Sequence, residues 1–377
     1  MCSLPGRARA SRIGEQSVPG RILIYGGTGY TGRLIAEHAR NLQRTPVIAG
    51  RTAHRVQAVA AELSLSGRVI TLDEHQAIDD ALGDIDVLIN AASPFARTAP
   101  PLIEACLRTR THYLDITGEL PIFQSAARYD DAARERGIMI MPGVGLGIVA
   151  SDCLALHVAG RIPNAKYLRM AVLRPESFSR GSIRSALGLS NSQVTIRRNG
   201  RLISVPVGRL QRVFDYGEGG RESVAVNWAD VFTAYYSTGI RNIEAYFEAN
   251  LASRALYELG AGVADALRLP AVERWLDAVV RALPDGPSAQ RRQMESCVIV
   301  AEVEDSWRQR SCARLRTPDG YSFTAEAATE IATRAAGGDF RPGFQTPARV
   351  YGADLVLEFK GTWREEVADS LSAWGIR

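Results

Sequence analysis

The sequence predicts an α/β protein: a Rossmann-type parallel sheet domain, then an α+β domain with a mainly antiparallel sheet. Three observations support this. Short apolar runs alternate with amphipathic segments over the first 150 residues, as in parallel strands joined by crossover helices. Beyond residue 151, strand-like alternation and hairpin turns replace that pattern. The length of 377 residues suits two domains.

The elements of the first domain follow from local patterns. Apolar runs of four to six residues predict strands, and apolar residues at helical spacing predict helices. The predicted strands are 21–25, 46–49, 68–72, 85–90, 112–115 and 138–141. The predicted helices are 34–42, 53–63, 74–82, 101–107 and 123–136. Ligands of such sheets bind beyond the carboxyl ends of the strands.

The second half is predicted to mix strands with helices. The predicted strands are 166–173, a hairpin 193–203 around Asn199-Gly200, 222–226, 296–304, 311–316 and, after a turn at 318–320, 321–324. The predicted helices are 243–267 and 271–283. The predicted domain limits are a flexible tail 1–20, a first domain 21–150, a substrate and dimerisation domain 151–345, and a segment 346–377 that can return to the first domain.

Composition narrows the class of protein. A net charge of +4 is too small to indicate a nucleic-acid partner. The five cysteines and five histidines are scattered, so we expect neither a disulfide framework nor a metal site, as in a reducing cytoplasm. The tail 1–20 does not resemble a secretory signal, and the most apolar stretch, 138–160, is broken by proline and glycines. We therefore expect a cytoplasmic protein without a membrane span.

The sequence before each of the two lysines excludes a short-chain dehydrogenase. Of the 45 lysines and arginines, 43 are arginines, and the lysines are Lys166 and Lys360. The residues four positions before these lysines are Ile162 and Val356. The chain therefore has no Tyr-x-x-x-Lys pair, which short-chain dehydrogenases use.

A glycine-rich loop follows the first strand. Gly26, Gly29 and Gly32 stand three residues apart, and the next predicted helix opens there. Glycine allows the backbone to approach a pyrophosphate, and the helix adds free N–H groups and a positive dipole end. We predict dinucleotide binding by the loop residues Gly26, Thr28, Gly29, Tyr30, Thr31 and Gly32.

Arg51 selects the dinucleotide. It ends the second strand about 19 residues past the glycines, where an acidic residue would hold the ribose 2′-hydroxyl of NAD. An arginine pairs with a 2′-phosphate instead. Thr52 and Arg55 lie close enough to help. The sequence therefore predicts NADP as the cofactor, although a solvated arginine is the ordinary alternative.

A loop of small residues follows the fourth strand. Ala91, Ala92, Ser93 and Pro94 are predicted to let the backbone pass close to the adenine-distal ribose and the nicotinamide. The alternative is a plain strand exit with a Ser-Pro turn.

Polar residues in three further segments are candidates for the chemistry. Asp115, with Thr117 and Glu119, follows the fifth strand, and segment 178–182 can hold an anion. Tyr235 or Tyr236 can deliver a proton. The structural alternatives are helix caps and buried tyrosines with satisfied hydroxyls.

Several motifs together resemble the saccharopine dehydrogenase-like family of NADP-binding reductases, which includes trans-acting enoyl reductases. They are 26–32, 49–51, 90–95, 113–119 and 142–145, with weaker similarity at 236–243, 343–347 and 351–354. The resemblance implies a Rossmann domain, an α+β domain that covers the cofactor, hydride transfer from NADPH, and often dimers. It does not imply saccharopine as the substrate.

The leading hypothesis is an enzyme, an NADPH-dependent reductase of a C=C or C=N bond. Its substrate would be a biosynthetic intermediate (acyl, polyketide-like or imine), free or bound to a carrier protein. The apolar loop 144–151 favours an acyl group slightly. The alternatives are an amino-acid dehydrogenase of the saccharopine type and a non-catalytic NADP(H)-sensing protein, which fold alone does not separate.

Overall fold

In the computed structural model the chain forms two sheets that share a core. The structure describes residues 20–173, 179–181, 193–249, 272, 279–280 and 283–367. The first sheet has seven strands, all parallel, and the second has nine and is mostly antiparallel. The predicted fold class is therefore confirmed.

The first sheet carries the six predicted strands and one from the far end of the chain. Its strands are β1 (Ile22–Tyr25), β2 (Val47–Gly50), β3 (Gly67–Val69), β4 (Val87–Asn90), β5 (His112–Asp115), β6 (Met139–Met141) and β15 (Gly343–Phe344). They are ordered β15-β6-β5-β4-β1-β2-β3. Because β1 lies between β2 and β4, the chain reverses direction across the sheet there, which makes the crevice beyond β1 the expected ligand site.

Helices cover both faces of this sheet. They are α1 (Tyr30–Asn41), α2 (Ala53–Leu63), α3 (His75–Leu82), α4 (Phe95–Thr109), α5 (Leu120–Ala127) and α6 (Asp130–Arg136). A further helix, α7 (Leu146–Ala159), is buried almost throughout and packs on the second sheet. Its Val149 and Leu154 share one apolar cluster with Ile24 of the first sheet and Ile299 of the second.

The second sheet contains β7 (Tyr167–Val172), β8 (Gln193–Arg198), β9 (Arg201–Pro206), β10 (Gln211–Asp215), β11 (Gly220–Ala225), β12 (Asn242–Glu248), β13 (Ser296–Glu304), β14 (Arg310–Pro318) and β16 (Trp363–Val367). The predicted hairpin at Asn199-Gly200 joins β8 to β9, with both residues at positive φ. The predicted pairing of β13 with β14 is also present.

Two predicted elements are wrong. The start of the predicted helix 243–267 is strand β12, whose Ile243 and Ala245 are buried while Glu244 is not, because it pairs in parallel with β7. The predicted strand 321–324 instead begins helix α10 (Gly320–Ala336). The Asp319 carboxylate caps that helix by accepting hydrogen bonds from the N–H groups of Tyr321 and Ser322. Residues 250–271, and most of the predicted helix 271–283, lie outside the described residues.

The described part also contains the α-helices α8 (Asp230–Thr238), α9 (Ala289–Met294) and α11 (Pro347–Tyr351) and a 3-10 helix, Leu355–Glu358. The candidate residues Tyr235 and Tyr236 lie in α8, where Thr233 and Ala234 are buried in the core. Helix α10 packs on α1, so it belongs to the layer that covers the first sheet.

The C-terminal part of the chain visits both sheets. Gly343 and Phe344 pair in parallel with Met139 and Ile140 at the edge of the first sheet. Strand β16 then pairs with β14 in the second sheet. The predicted domain limits at 150 and 345 stay predictions. In the part of the chain that the structure describes, no helix combines the length and apolarity needed to cross a membrane.

Candidate functional site

The glycine loop is a close-packed turn between β1 and α1. Gly26 has φ +82° and donates its N–H to Ala49 O at 2.9 Å, and Gly29 donates to Gly26 O at 2.9 Å. A Cβ on Gly32 would lie 2.3 Å from Gly26 O. The first turn of α1 contains no acidic residue, so its free N–H groups and dipole end suit a phosphate group. This cradle fits the pyrophosphate of a dinucleotide.

The glycine loop touches the loop that follows β4. A Cβ on Gly26 would lie 2.8–2.9 Å from the backbone of Ala91 and Ala92. Ala91, Ala92 and Ser93 are half-buried, and Pro94 is exposed. The structure therefore brings the predicted pyrophosphate and nicotinamide segments together at one edge of the sheet.

The Asn90 side chain holds the backbone of the loop after β4 in place. Its side chain is fully buried and accepts a hydrogen bond from Ala92 N–H at 3.0 Å. Its amide donates to the hydroxyls of Thr98 at 3.0 Å and Tyr113 at 3.2 Å. Each group of this buried amide has a partner, which fixes its orientation.

Asp115 ends β5 inside the protein. Its carboxylate is fully buried and accepts hydrogen bonds from the N–H groups of Thr117 and Gly143, each at 3.0 Å, and from the Tyr113 hydroxyl at 2.9 Å. Burial raises the pKa of Asp115 to about 6, and the two backbone N–H groups oppose that rise. In this position the carboxylate joins the loops that follow β5 and β6.

Arg51, Thr52 and Arg55 lie at the corner where β2 meets α2. Arg51 and Arg55 are exposed, and Thr52 is half-buried. Among the described residues, Arg51 has no hydrogen-bond or ion-pair partner. The Thr28 hydroxyl lies 3.7 Å from the position of a Cβ on Gly50, which places the glycine loop beside this corner.

Trp228 covers the loop after β5 and the first turn of α7. A Cβ on Gly118 would lie 3.2 Å from its ring, and one on Gly147 only 2.7 Å. Its indole N–H donates to Gly147 O at 2.9 Å. No local sequence pattern marks Trp228, because its partners are glycines at two distant positions in the chain.

The two candidate tyrosines lie away from the glycine loop. The Tyr236 ring packs on Phe344 of β15, with centroids 5.0 Å apart, and is 37% exposed. Strand β15 is four strands from β1, or about 19 Å at the usual spacing. The Tyr235 ring lies under the Arg197 guanidinium at 4.1 Å, a cation–π contact.

Segment 179–181, the described part of the predicted anion site 178–182, also reaches the cleft. A Cβ on Gly181 would lie 3.6 Å from the Ser93 hydroxyl. Tyr30 contacts Tyr321 of α10, with ring centroids 5.1 Å apart. The Arg292 guanidinium donates a hydrogen bond to the Tyr30 hydroxyl at 2.8 Å. No local sequence pattern marks Tyr321 or Arg292 as part of this site.

A buried acid lies behind Trp228. Asp230 is 1% exposed and accepts a hydrogen bond from the Ser151 hydroxyl at 2.5 Å. Burial raises the pKa of Asp230 to about 8, and the nearby Asp152 carboxylate adds to the rise. Its pKa in the unfolded chain is about 4.

This shift predicts a pH-dependent stability. From about pH 4 to about pH 8 the folded protein keeps a proton on Asp230 that the unfolded chain has lost, so the free energy of unfolding falls as pH rises. Asp230→Asn keeps a neutral side chain and removes this contribution. We expect the variant to gain stability relative to wild type across that range, measured by urea unfolding. If the free energy of unfolding changes with pH in the same way in both proteins, the raised pKa of Asp230 is contradicted.

The fold and the cradle define a class: a Rossmann-type dinucleotide-binding domain joined to a mixed-sheet domain. Comparison with known proteins shows what the first of these domains is similar to. Residues 22–141 match the saccharopine dehydrogenase NADP binding domain. The predicted resemblance and the NADP cofactor are therefore confirmed for this segment.

Two relatives extend the comparison. A trans-acting enoyl reductase of Mycobacterium leprae is 32% identical over 149 residues, which cover 37% of this chain and 36% of the relative. A putative trans-acting enoyl reductase of Mycobacterium tuberculosis is 32% identical over 181 residues, which cover 44% and 43%. The chain thus matches less than half of the length of each relative.

One solved structure shares the overall fold. Saccharopine dehydrogenase (L-Glu forming) from Saccharomyces cerevisiae aligns with a TM-score of 0.61 over 93% of this chain and 100% of that chain. The sequences are 14% identical, so this likeness concerns the fold alone.

Proposed function

We propose that the protein is an NADPH-dependent reductase of a carbon–carbon double bond conjugated to a carbonyl group. The observation that carries the proposal is Arg51, an exposed guanidinium with no partner among the described residues, beside a glycine cradle. A 2′-phosphate supplies the charge that such an arginine lacks.

NADPH supplies a hydride for the chemistry. In the proposed reaction the hydride adds to the β-carbon of the enoyl group, the C=C π electrons shift towards the carbonyl oxygen, and a proton is then added at the α-carbon. The loops after β4, β5 and β6 place small backbone segments along one edge of the sheet. Trp228 covers the loop after β5 and the first turn of α7 and would exclude water there.

The segments that follow β5 and β6 favour an uncharged acceptor over an amino acid. Neither 116–119 nor 143–147 contains an arginine, lysine or histidine. A dicarboxylate substrate would need cationic partners there. The relatives named as trans-acting enoyl reductases support a C=C bond over the C=N bond of an imine.

The proton donor stays a prediction among Tyr235, Tyr236 and Asp115. The three hydrogen bonds described for the Asp115 carboxylate all come from protein groups, and its side chain is fully buried. The two tyrosines lie on α8, towards the outer strand β15. In solution we propose a cytoplasmic homodimer that takes a free or carrier-bound acyl substrate.

The direct test follows NADPH absorbance with a panel of enoyl thioesters, cyclic imines and saccharopine. We expect oxidation of NADPH with enoyl thioesters and none with saccharopine. Turnover with imines alone would move the proposal to C=N reduction. Tight NADPH binding without turnover on any compound would favour the sensing protein.

A further inference from the structure

Two tyrosines connect the glycine loop to the rest of the chain. Tyr30 is the first residue of α1, and Tyr321 lies in the first turn of α10. Their rings meet edge to face, with centroids 5.1 Å apart and planes at 87°. The hydroxyl of each reaches a different stretch of backbone, and both stretches border the cleft.

Tyr30 holds the stretch that precedes α9. Its hydroxyl donates to Pro287 O at 2.5 Å and accepts from the Arg292 guanidinium at 2.8 Å. A Cβ on Gly286 would lie 2.6 Å from the Tyr30 ring, so the backbone rests directly on that ring. Residues 286–287 are therefore seated on the loop that receives the pyrophosphate.

Tyr321 holds the stretch that lies on Ser93. Its hydroxyl accepts a hydrogen bond from Ser179 N–H at 2.5 Å. The next residue, Arg180, donates its backbone N–H to Asp285 O at 3.2 Å and its Nε to Leu283 O at 2.6 Å. Its guanidinium also pairs with the Asp285 carboxylate at 3.0 Å.

The two stretches, 179–181 and 283–287, thus bind each other, and we name them together the strap. One end of the strap rests on Tyr30 in the glycine loop, and the other rests on Ser93 in the loop after β4. A dinucleotide that spans these two loops would run beneath it.

We propose that Tyr30 and Tyr321 are positioning residues that hold the strap closed over the bound dinucleotide and so slow its release. The proposal rests on the proposed NADPH binding. The loop that takes the pyrophosphate also sets the position of the strap, because one residue, Tyr30, contributes to both. Cofactor and strap are therefore coupled through its hydroxyl and ring.

The first test compares Tyr30→Phe and Tyr321→Phe with wild type by hydrogen exchange in the free protein. Losing the hydroxyl of Tyr321 should speed exchange at the amides of Ser179 and Arg180. Losing that of Tyr30 should speed it at the amides of Leu283 and Arg180, since Pro284 and Pro287 carry no amide hydrogen. Tyr129→Phe is the control, because that hydroxyl binds Glu104 outside the strap. Unchanged protection in both strap variants overturns the proposal, whatever the cofactor does.

The second test measures NADPH release by stopped flow. We expect Tyr321→Phe to release NADPH about 2- to 10-fold faster, as for loss of one neutral hydrogen bond. Tyr30→Phe should release it at least as fast, because it loses two hydrogen bonds, and Tyr129→Phe should match wild type. Release at the wild-type rate in both strap variants overturns the strap and leaves the proposed function standing. A wild-type protein that binds no NADPH overturns the proposed function as well.

A double-mutant cycle separates the ring from general damage. Gly286→Ala should speed NADPH release in the wild-type background, because the new methyl group meets the Tyr30 ring. In a Tyr30→Ala background the same change should have little effect. Equal effects in both backgrounds would show that the strap does not depend on Tyr30.

Discussion

Replacing Arg51 with alanine should weaken NADPH binding by about 10- to 150-fold while leaving NADH binding nearly unchanged. The figure corresponds to losing one charge-assisted contact of about 1.5–3 kcal/mol. Arg51 has no described hydrogen-bond or ion-pair partner to lose, so the fold should be unaffected. Isothermal titration with each dinucleotide measures both affinities.

The matched control is Arg136→Ala, another exposed arginine, at the end of α6 and outside the site. It should leave both affinities at wild-type values. If NADPH and NADH weaken together in the Arg51 variant, or neither weakens, the 2′-phosphate role is wrong.

Gly26→Ala should abolish dinucleotide binding and destabilise the protein. Two costs combine at this position. Its φ of +82° suits glycine, and an L side chain there costs about 1–2 kcal/mol. The added methyl group would also lie 2.8–2.9 Å from the backbone of Ala91 and Ala92, which cannot rotate away as a side chain can. The two loops of the site must therefore separate.

Gly137→Ala isolates the first of these costs. Gly137 also has a positive φ, at +72°, but nothing lies within 4 Å of a Cβ there. We expect Gly137→Ala to lower the free energy of unfolding by about 1–2 kcal/mol and to bind NADPH normally. Equal losses of stability and of binding in the two variants would refute the close approach of the two loops.

Local patterns explain why the first sheet was predictable. Strands β1 to β6 are short apolar runs. Gly26, Gly32 and Arg51 were predicted to bind the cofactor from their spacing along the chain. Parallel strands order themselves through crossovers close in sequence. The candidate cofactor site forms at the ends of those same strands, so its main candidate residues could be proposed from the sequence.

The missed features depend on contacts between distant residues. Trp228 packs on Gly118 and Gly147. Tyr321 contacts Tyr30. No local sequence pattern predicts these contacts. Strand β12 was mistaken for a helix because adjacent aromatic residues, Tyr246 and Phe247, obscure its alternation. Pairing with β7 fixes it as a strand, a case of tertiary context overriding local pattern.

The most direct measurement is transfer of deuterium from NADPH labelled at the nicotinamide C4 to an enoyl thioester, followed by mass spectrometry. We predict a saturated thioester that carries one deuterium at its β-carbon, formed with NADPH in strong preference to NADH. An enoyl thioester recovered unchanged and unlabelled, from a wild-type protein saturated with NADPH, would contradict the proposed reductase.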